Sequence, residues 1–164
     1  MAWTTPRTWV TGELVTASLL NTHVRDNLNY TKEIGYAKEV TGTLSFTNTG
    51  FADLDALTGT STNAMQVSIS TTDTAIVGLS ANIYNAQAGA ITVASWRISG
   101  ATTANSSDAN ALYYESSSSN DQIQAGIIRV VTGLTPGTNV FEVQARVNAG
   151  TGAFRRADFM VVPR

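Results

Sequence analysis

A chain of 164 residues makes one domain of ordinary size plus a short appended element, and 43% hydrophobic residues are enough to bury a core. Charged residues reach only 13%, about half the usual share, and 14 Ser and 24 Thr fill the gap, so the composition reads as β-rich. A net charge of -2 excludes an electrostatic grip on nucleic acid, zero cysteines exclude disulfides and thiolate chemistry, and no apolar run is long enough to insert in a membrane.

Residues 1–39 hold eight of the 22 charged residues, and the rest of the chain is Thr, Ser, Ala, Gly and Val with sparse charge. That shift divides the chain into an N-terminal arm and helix, 1–39, and a β domain, 40–164. The start shows no signal peptide. Residues 1–15 form an irregular strip broken by Pro6 and Gly12. Trp3 and Trp9 lie in this strip with too little apolar material around them for a local core, so they must bury against the β domain or against another subunit. Thr16 is placed to cap a helix from Ala17 to about Ile34, a stretch free of Gly and Pro. Leu20, Val24 and Leu28 recur along one face of it. Heptads that alternate Ala17, Val24 and Thr31 with Leu20, Asn27 and Ile34 carry two polar seam positions, a weak coiled coil. At roughly 18 residues the helix is marginal alone and needs a partner, either its own β domain or another copy of the chain.

From Val40 onward the period changes to two. Strands are expected at Thr43–Phe46, Met65–Ser70, Val77–Ile83, Ile91–Ile98, Ala111–Glu115, Ala125–Thr132, Phe141–Val147 and Ala157–Val162. Ile91 and Val93 have the opposite parity to Trp96 and Ile98, which a bulge or twist near Ala94 would reconcile. A turn falls at Gln87–Gly89 and another at Leu134-Thr135-Pro136-Gly137. Gly100–Asn110 and Ser116–Asp121 are small, polar surface loops that flank Tyr113 and Tyr114. About eight such strands predict a mainly β, antiparallel, jelly-roll-like sandwich.

The search for chemistry is short. His23 is the one histidine and has no neighbouring ligands at metal spacing. No nucleophile elbow, phosphate loop or dinucleotide fingerprint is present, so no enzyme activity and no cofactor are expected. Asp53 and Asp55 lack a third carboxylate for calcium and read as a turn pair. Tyr113 and Tyr114 with Asn110, Asn120 and Asp121 loosely fit a glycan site. Adjacent strand residues face opposite sides, however, so at most one tyrosine can serve a given pocket.

Two stretches carry a family resemblance. The opening Trp-Thr-Thr-Pro-Arg-Thr-Trp-Val-Thr-Gly-Glu-Leu-Val-Thr-Ala, followed by Leu-Leu-Asn-Thr-His-Val-Arg-Asp-Asn-Leu, is similar to the N-terminal signature of small tailed-bacteriophage virion proteins. Its pattern falls on Trp9, Gly12, Val15, Thr16, Ala17, Leu20, Asn21, Arg25, Asp26, Asn27 and Leu28. The Leu-Thr-Pro-Gly turn and strand of residues 133–147, Gly-Thr-Gly at 150–152 and the arginine pair at 155–156 resemble the same group, although Asn139 and Ala145 are smaller than in many relatives. The resemblance implies a homotrimeric jelly-roll-like protein on the particle surface, made in the bacterial host cytoplasm. It would decorate or cement the capsid, or form a short head fibre. The arm and helix would hold it to a major capsid protein or another virion protein, with Trp3, Trp9, Leu20, Val24 and Leu28 as attachment or trimer contacts. The alternative is a tail fibre or tail-tip module that meets host surface glycans through Asn110, Tyr113, Tyr114, Asn120 and Asp121.

Overall fold

The computed structural model describes residues 5, 7–28, 36–54 and 65–164, with residues 36–41 described by backbone alone. Nine strands are present among the described residues: β1 Tyr36–Phe46, β2 Ala52–Asp53, β3 Gln66–Thr71, β4 Thr74–Asn85, β5 Ile91–Gly100, β6 Leu112–Glu115, β7 Gln122–Thr132, β8 Gly137–Val147 and β9 Gly152–Pro163. One sheet (sheet A) has the order β1-β9-β4-β7, and the other (sheet B) has the order β2-β8-β5-β6 with β3 also on β8. All described pairs are antiparallel. Every connection except β2–β3 and β5–β6 crosses from one sheet to the other. Because β2 and β3 occupy successive stretches of the same β8 edge, they act as one interrupted strand, and the two sheets then have four strand positions each. That is the jelly-roll arrangement. Strand β1 begins at Tyr36, so the sheet takes in residues 36–39, which the charge distribution assigns to the arm.

Alternation builds the core. Ala75, Val77, Leu79, Ala81 and Ile83 of β4 face Phe141, Val143, Ala145 and Val147 of β8 across the sandwich, and all are buried. Phe46 and Phe154 pack with ring centroids 5.0 Å apart, and Trp96 lies 6.5 Å from Phe159. The bulge expected near Ala94 is not there. β5 pairs with β8 in unbroken register from Thr92↔Val147 to Gly100↔Asn139, with Trp96 and Ile98 facing the core. Val93 is buried on the opposite face. Segment 101–111 folds back over that face, and the Ser95 hydroxyl donates to the Ser107 carbonyl at 2.9 Å. Both parities of β5 are therefore apolar because both of its faces are covered.

The register shifts instead fall in the pairings of β9 with β4 and with β1. Pairing with β4 skips from Ser80↔Asp158 to Asn82↔Arg155, and Arg156 adopts φ 50°. A non-glycine residue in that region is strained. Close approach explains the Gly-Thr-Gly sequence: a Cβ on Gly152 would lie 2.6 Å from Val147 Cγ1 and 2.9 Å from Thr92 Oγ1.

Candidate functional site

The N-terminal segment starts where the Thr16 hydroxyl accepts the Leu19 N–H at 3.3 Å, the cap expected from the sequence. An α turn, Ala17–Leu20, runs into a π turn, Asn21–Arg25. The wider π turn shifts i,i+4 neighbours in the opposite sense to an α turn, so Leu20, Val24 and Leu28 stay in one line. Their exposures are 46%, 42% and 56%. Val10, Leu14 and Val15 are exposed as well. Asn27 is buried on the other side and donates to the His23 carbonyl at 3.3 Å. Among the described residues, neither helical turn packs extensively on a strand. The apolar stripe thus stays about half exposed. Trp9 is 40% exposed, with the Arg7 guanidinium 5.0 Å from its ring centroid and Arg7 paired to Glu13. Trp3 lies outside the described residues.

The candidate loop residues divide between two places. Tyr114 pairs with Thr92 on the inward side of β6 and packs on the core edge, while Tyr113 pairs with Val93 and is 55% exposed on the outer side. Asn110, in the single 3-10 turn Asp108–Asn110, is exposed near Tyr113. Asn120 and Asp121 belong to the Tyr114 end. The Ser117 hydroxyl donates to Asp121 at 2.5 Å, and with the Tyr114 hydroxyl it holds the Asp121 carboxyl below its ordinary pKa. Lost hydration first, and Asp121 second, raise the Tyr114 phenol.

These shifts define a pH window for the loop. The Asp121 contribution is present above the ordinary carboxylate pKa and is lost as pH falls through the depressed value. The Tyr114 contribution is complete below the ordinary phenol pKa and is lost as pH rises through the raised one. Protection of the Ser117–Asp121 amides, corrected for intrinsic exchange, should therefore hold from about pH 4 to about pH 10 and fall relative to β8 on both sides. An Asp121→Asn chain that keeps the acid limb unchanged would contradict this.

The outer face of sheet B carries a polar network that the sequence reading missed. Asp53 accepts from Arg97 at 3.1 Å and from Gln144 at 2.7 Å. Arg97 Nε donates to Glu142 at 2.7 Å, which raises the Arg97 pKa still further. The Ser106 hydroxyl donates to Gln144 at 2.7 Å. Arg146 grips both Asp108 oxygens at 2.9 and 2.8 Å, and its guanidinium lies 5.3 Å from the Phe51 ring centroid. These bonds pin segment 101–111 to the sheet. Asp53 is thus an ion-pair partner, Asp55 lies outside the described residues, and no group of three metal-ligating side chains occurs among the described residues.

The outer face of sheet A is different in character. Ile128 and Val130 of β7 are 67% and 64% exposed. Beside them a depression of about 480 Å³ is lined by Gly78, Ser80, Gly126, Ile128, Asp158 and Met160. Two glycines in the floor leave it open. The signal for this surface is the consecutive pairs Ile127-Ile128 and Val130-Val131, which make β7 apolar in both parities at the edge of a sheet.

The chain matches no protein-family model and no curated protein. Among solved structures it is similar to the infectious bursal disease virus Gx strain structure, with TM-score 0.52, 9% identity, and coverage of 79% of this chain and 32% of that one. It is also similar to the infectious bursal disease virus VP2 subviral particle, with TM-score 0.51, 10% identity, and coverage of 79% and 33%. A third likeness is to the Eiger TNF structure from S. frugiperda, with TM-score 0.51, 13% identity, and coverage of 80% and 93%. The chain spans about a third of the length of the virus chains it resembles. At these identities the likeness is one of fold, and it agrees with the strand order: the chain carries a jelly-roll-like β-sandwich.

Proposed function

We propose that this chain is a structural component of a bacteriophage particle, a homotrimer that decorates or cements the capsid or forms a short head fibre. The observation that carries the reading is the stripe of Leu20, Val24 and Leu28, whose side chains stay 46%, 42% and 56% exposed. An isolated helix of the roughly 18 residues expected from the sequence is marginal in water, so its apolar side needs cover, here from other chains. The N-terminal motif resembles that of tailed-phage virion proteins, and the likeness in fold to virus-particle structures supports the same role. The work is mechanical rather than catalytic. Apolar surface buried between subunits holds a cysteine-free, charge-poor protein in place, and sparse charge keeps the repulsion between identical copies small. The arm and helix attach the trimer to the major capsid protein or another virion protein, and the sandwich projects outward. The glycan-binding reading has less support, because Tyr113 and Tyr114 face opposite sides of β6 and Asp121 bonds on the Tyr114 side.

The test is the occupancy of a Trp9→Ala chain on particles. Occupancy should fall severalfold while the unfolding midpoint of the purified sandwich stays put, since Trp9 is not part of its core. Wild-type occupancy would remove the arm from the attachment.

A further inference from the structure

Sheets that end in long, flat strands usually hide that edge, and the described edges here differ in how they do so. β6 has four residues, β2 has two and β3 has six, and the β1 pairing is broken by a bulge. Strand β7 has none of these devices. It runs for 11 residues in unbroken register with β4, contains no proline, and carries a single charge, Arg129. Its far side pairs with no described strand. Such an edge is a template for another strand.

We propose that β7 pairs antiparallel with β7 of a second copy about a two-fold axis at Ile127, so that sheet A continues from one subunit into the next. The residues on the page fit this occupant. In that register Ile128 stands opposite Gly126 of the other copy, and the reverse holds by symmetry. A side chain on Gly126 would sit tightly, its Cβ 3.3 Å from Ser80 Cβ. The exposed Ile128 of one copy therefore leans over Gly126 of the other and fills the depression beside Met160. Arg129 falls opposite Ala125, so the strand's one charge never meets its like. Val130 falls opposite Gln124. Cross-strand neighbours at these separations touch and set the register.

This contact is separate from the helix stripe and goes beyond the trimer. A three-fold contact through the N-terminal segment and a two-fold contact through β7 would together join trimers in pairs.

Sedimentation equilibrium of the full chain over a wide concentration range is the test, with two double variants. Mass should double as concentration rises. V130K/Q124K sets lysine opposite lysine and should weaken the doubling by about tenfold or more, while V130K/Q124E sets lysine opposite glutamate and should restore it. Gln124 and Val130 are exposed, so unfolding midpoints should match the wild type in both. A wild-type chain that never doubles, or two variants that double equally, overturns the β7 contact. The trimer and the edge are separable in the same data. Three chains without doubling sinks the edge alone, and one chain that doubles to two sinks the trimer alone.

Discussion

Asn139→Leu should cost the sandwich about 2–4 kcal/mol, measured by urea unfolding of the full chain. Asn139 is fully buried at the start of β8. Its amide donates to Thr71 Oγ1 at 2.8 Å and to the Thr135 carbonyl at 3.0 Å, and its carbonyl accepts the Thr102 N–H at 2.7 Å. Three segments distant in sequence meet on this one side chain: the end of β3, the turn after β7 and the start of segment 101–111. Leucine keeps asparagine's branched outline of four side-chain heavy atoms and is bulkier, so no cavity opens, but Thr71 and Thr102 lose their partner in a site with little water. Against a total stability of about 5–15 kcal/mol the loss would be plain. A change below about 1 kcal/mol would mean that solvent or local rearrangement meets those groups, and that the asparagine is not the clasp the geometry makes it.

The second large effect concerns assembly rather than folding. The triple variant L20S/V24S/L28S should leave the sandwich midpoint within about 0.5 kcal/mol of the wild type, because surface changes outside the core rarely cost more. All three side chains are outside the core cluster. Their exposed halves offer roughly 1 kcal/mol each on burial, so losing them should weaken the oligomer on the order of 100-fold per chain. If the oligomer keeps its mass and affinity, the stripe is an attachment surface only, and the subunit contacts belong to the β domain.

How far the sequence is legible depends on whether the deciding neighbour is local. Phe141, Val143, Ala145 and Val147 alternate with Glu142, Gln144 and Arg146, and the strand could be read residue by residue because sheet faces repeat every two positions. The Thr16 cap and the opposite facing of Tyr113 and Tyr114 are local in the same way. Val93 is not. Its cover arrives from segment 101–111, so its parity mimics a bulge that does not exist, while the bulge at Arg156 leaves no mark in the pattern. The same holds for the polar network. Asp53 and Arg97 are 44 positions apart, and nothing in either neighbourhood announces the pair. Of the candidate assembly residues, Leu20, Val24 and Leu28 were visible as a helical stripe, but that the stripe faces solvent became evident only in three dimensions. The β7 edge was half visible. Apolar residues in both parities mark it, yet strand order decides whether a strand is central or exposed, and one chain's local pattern does not encode that order.

The central claim is that this chain is built to assemble with copies of itself. The most direct measurement is the mass of the full-length chain in solution at low micromolar concentration, by sedimentation velocity or native mass spectrometry. The expected result is three chains of 17.3 kDa each, or six where the β7 contact has also closed. A single 17.3 kDa chain that persists as concentration is raised would contradict the claim, and the exposed apolar stripe would then have to be covered by the particle alone.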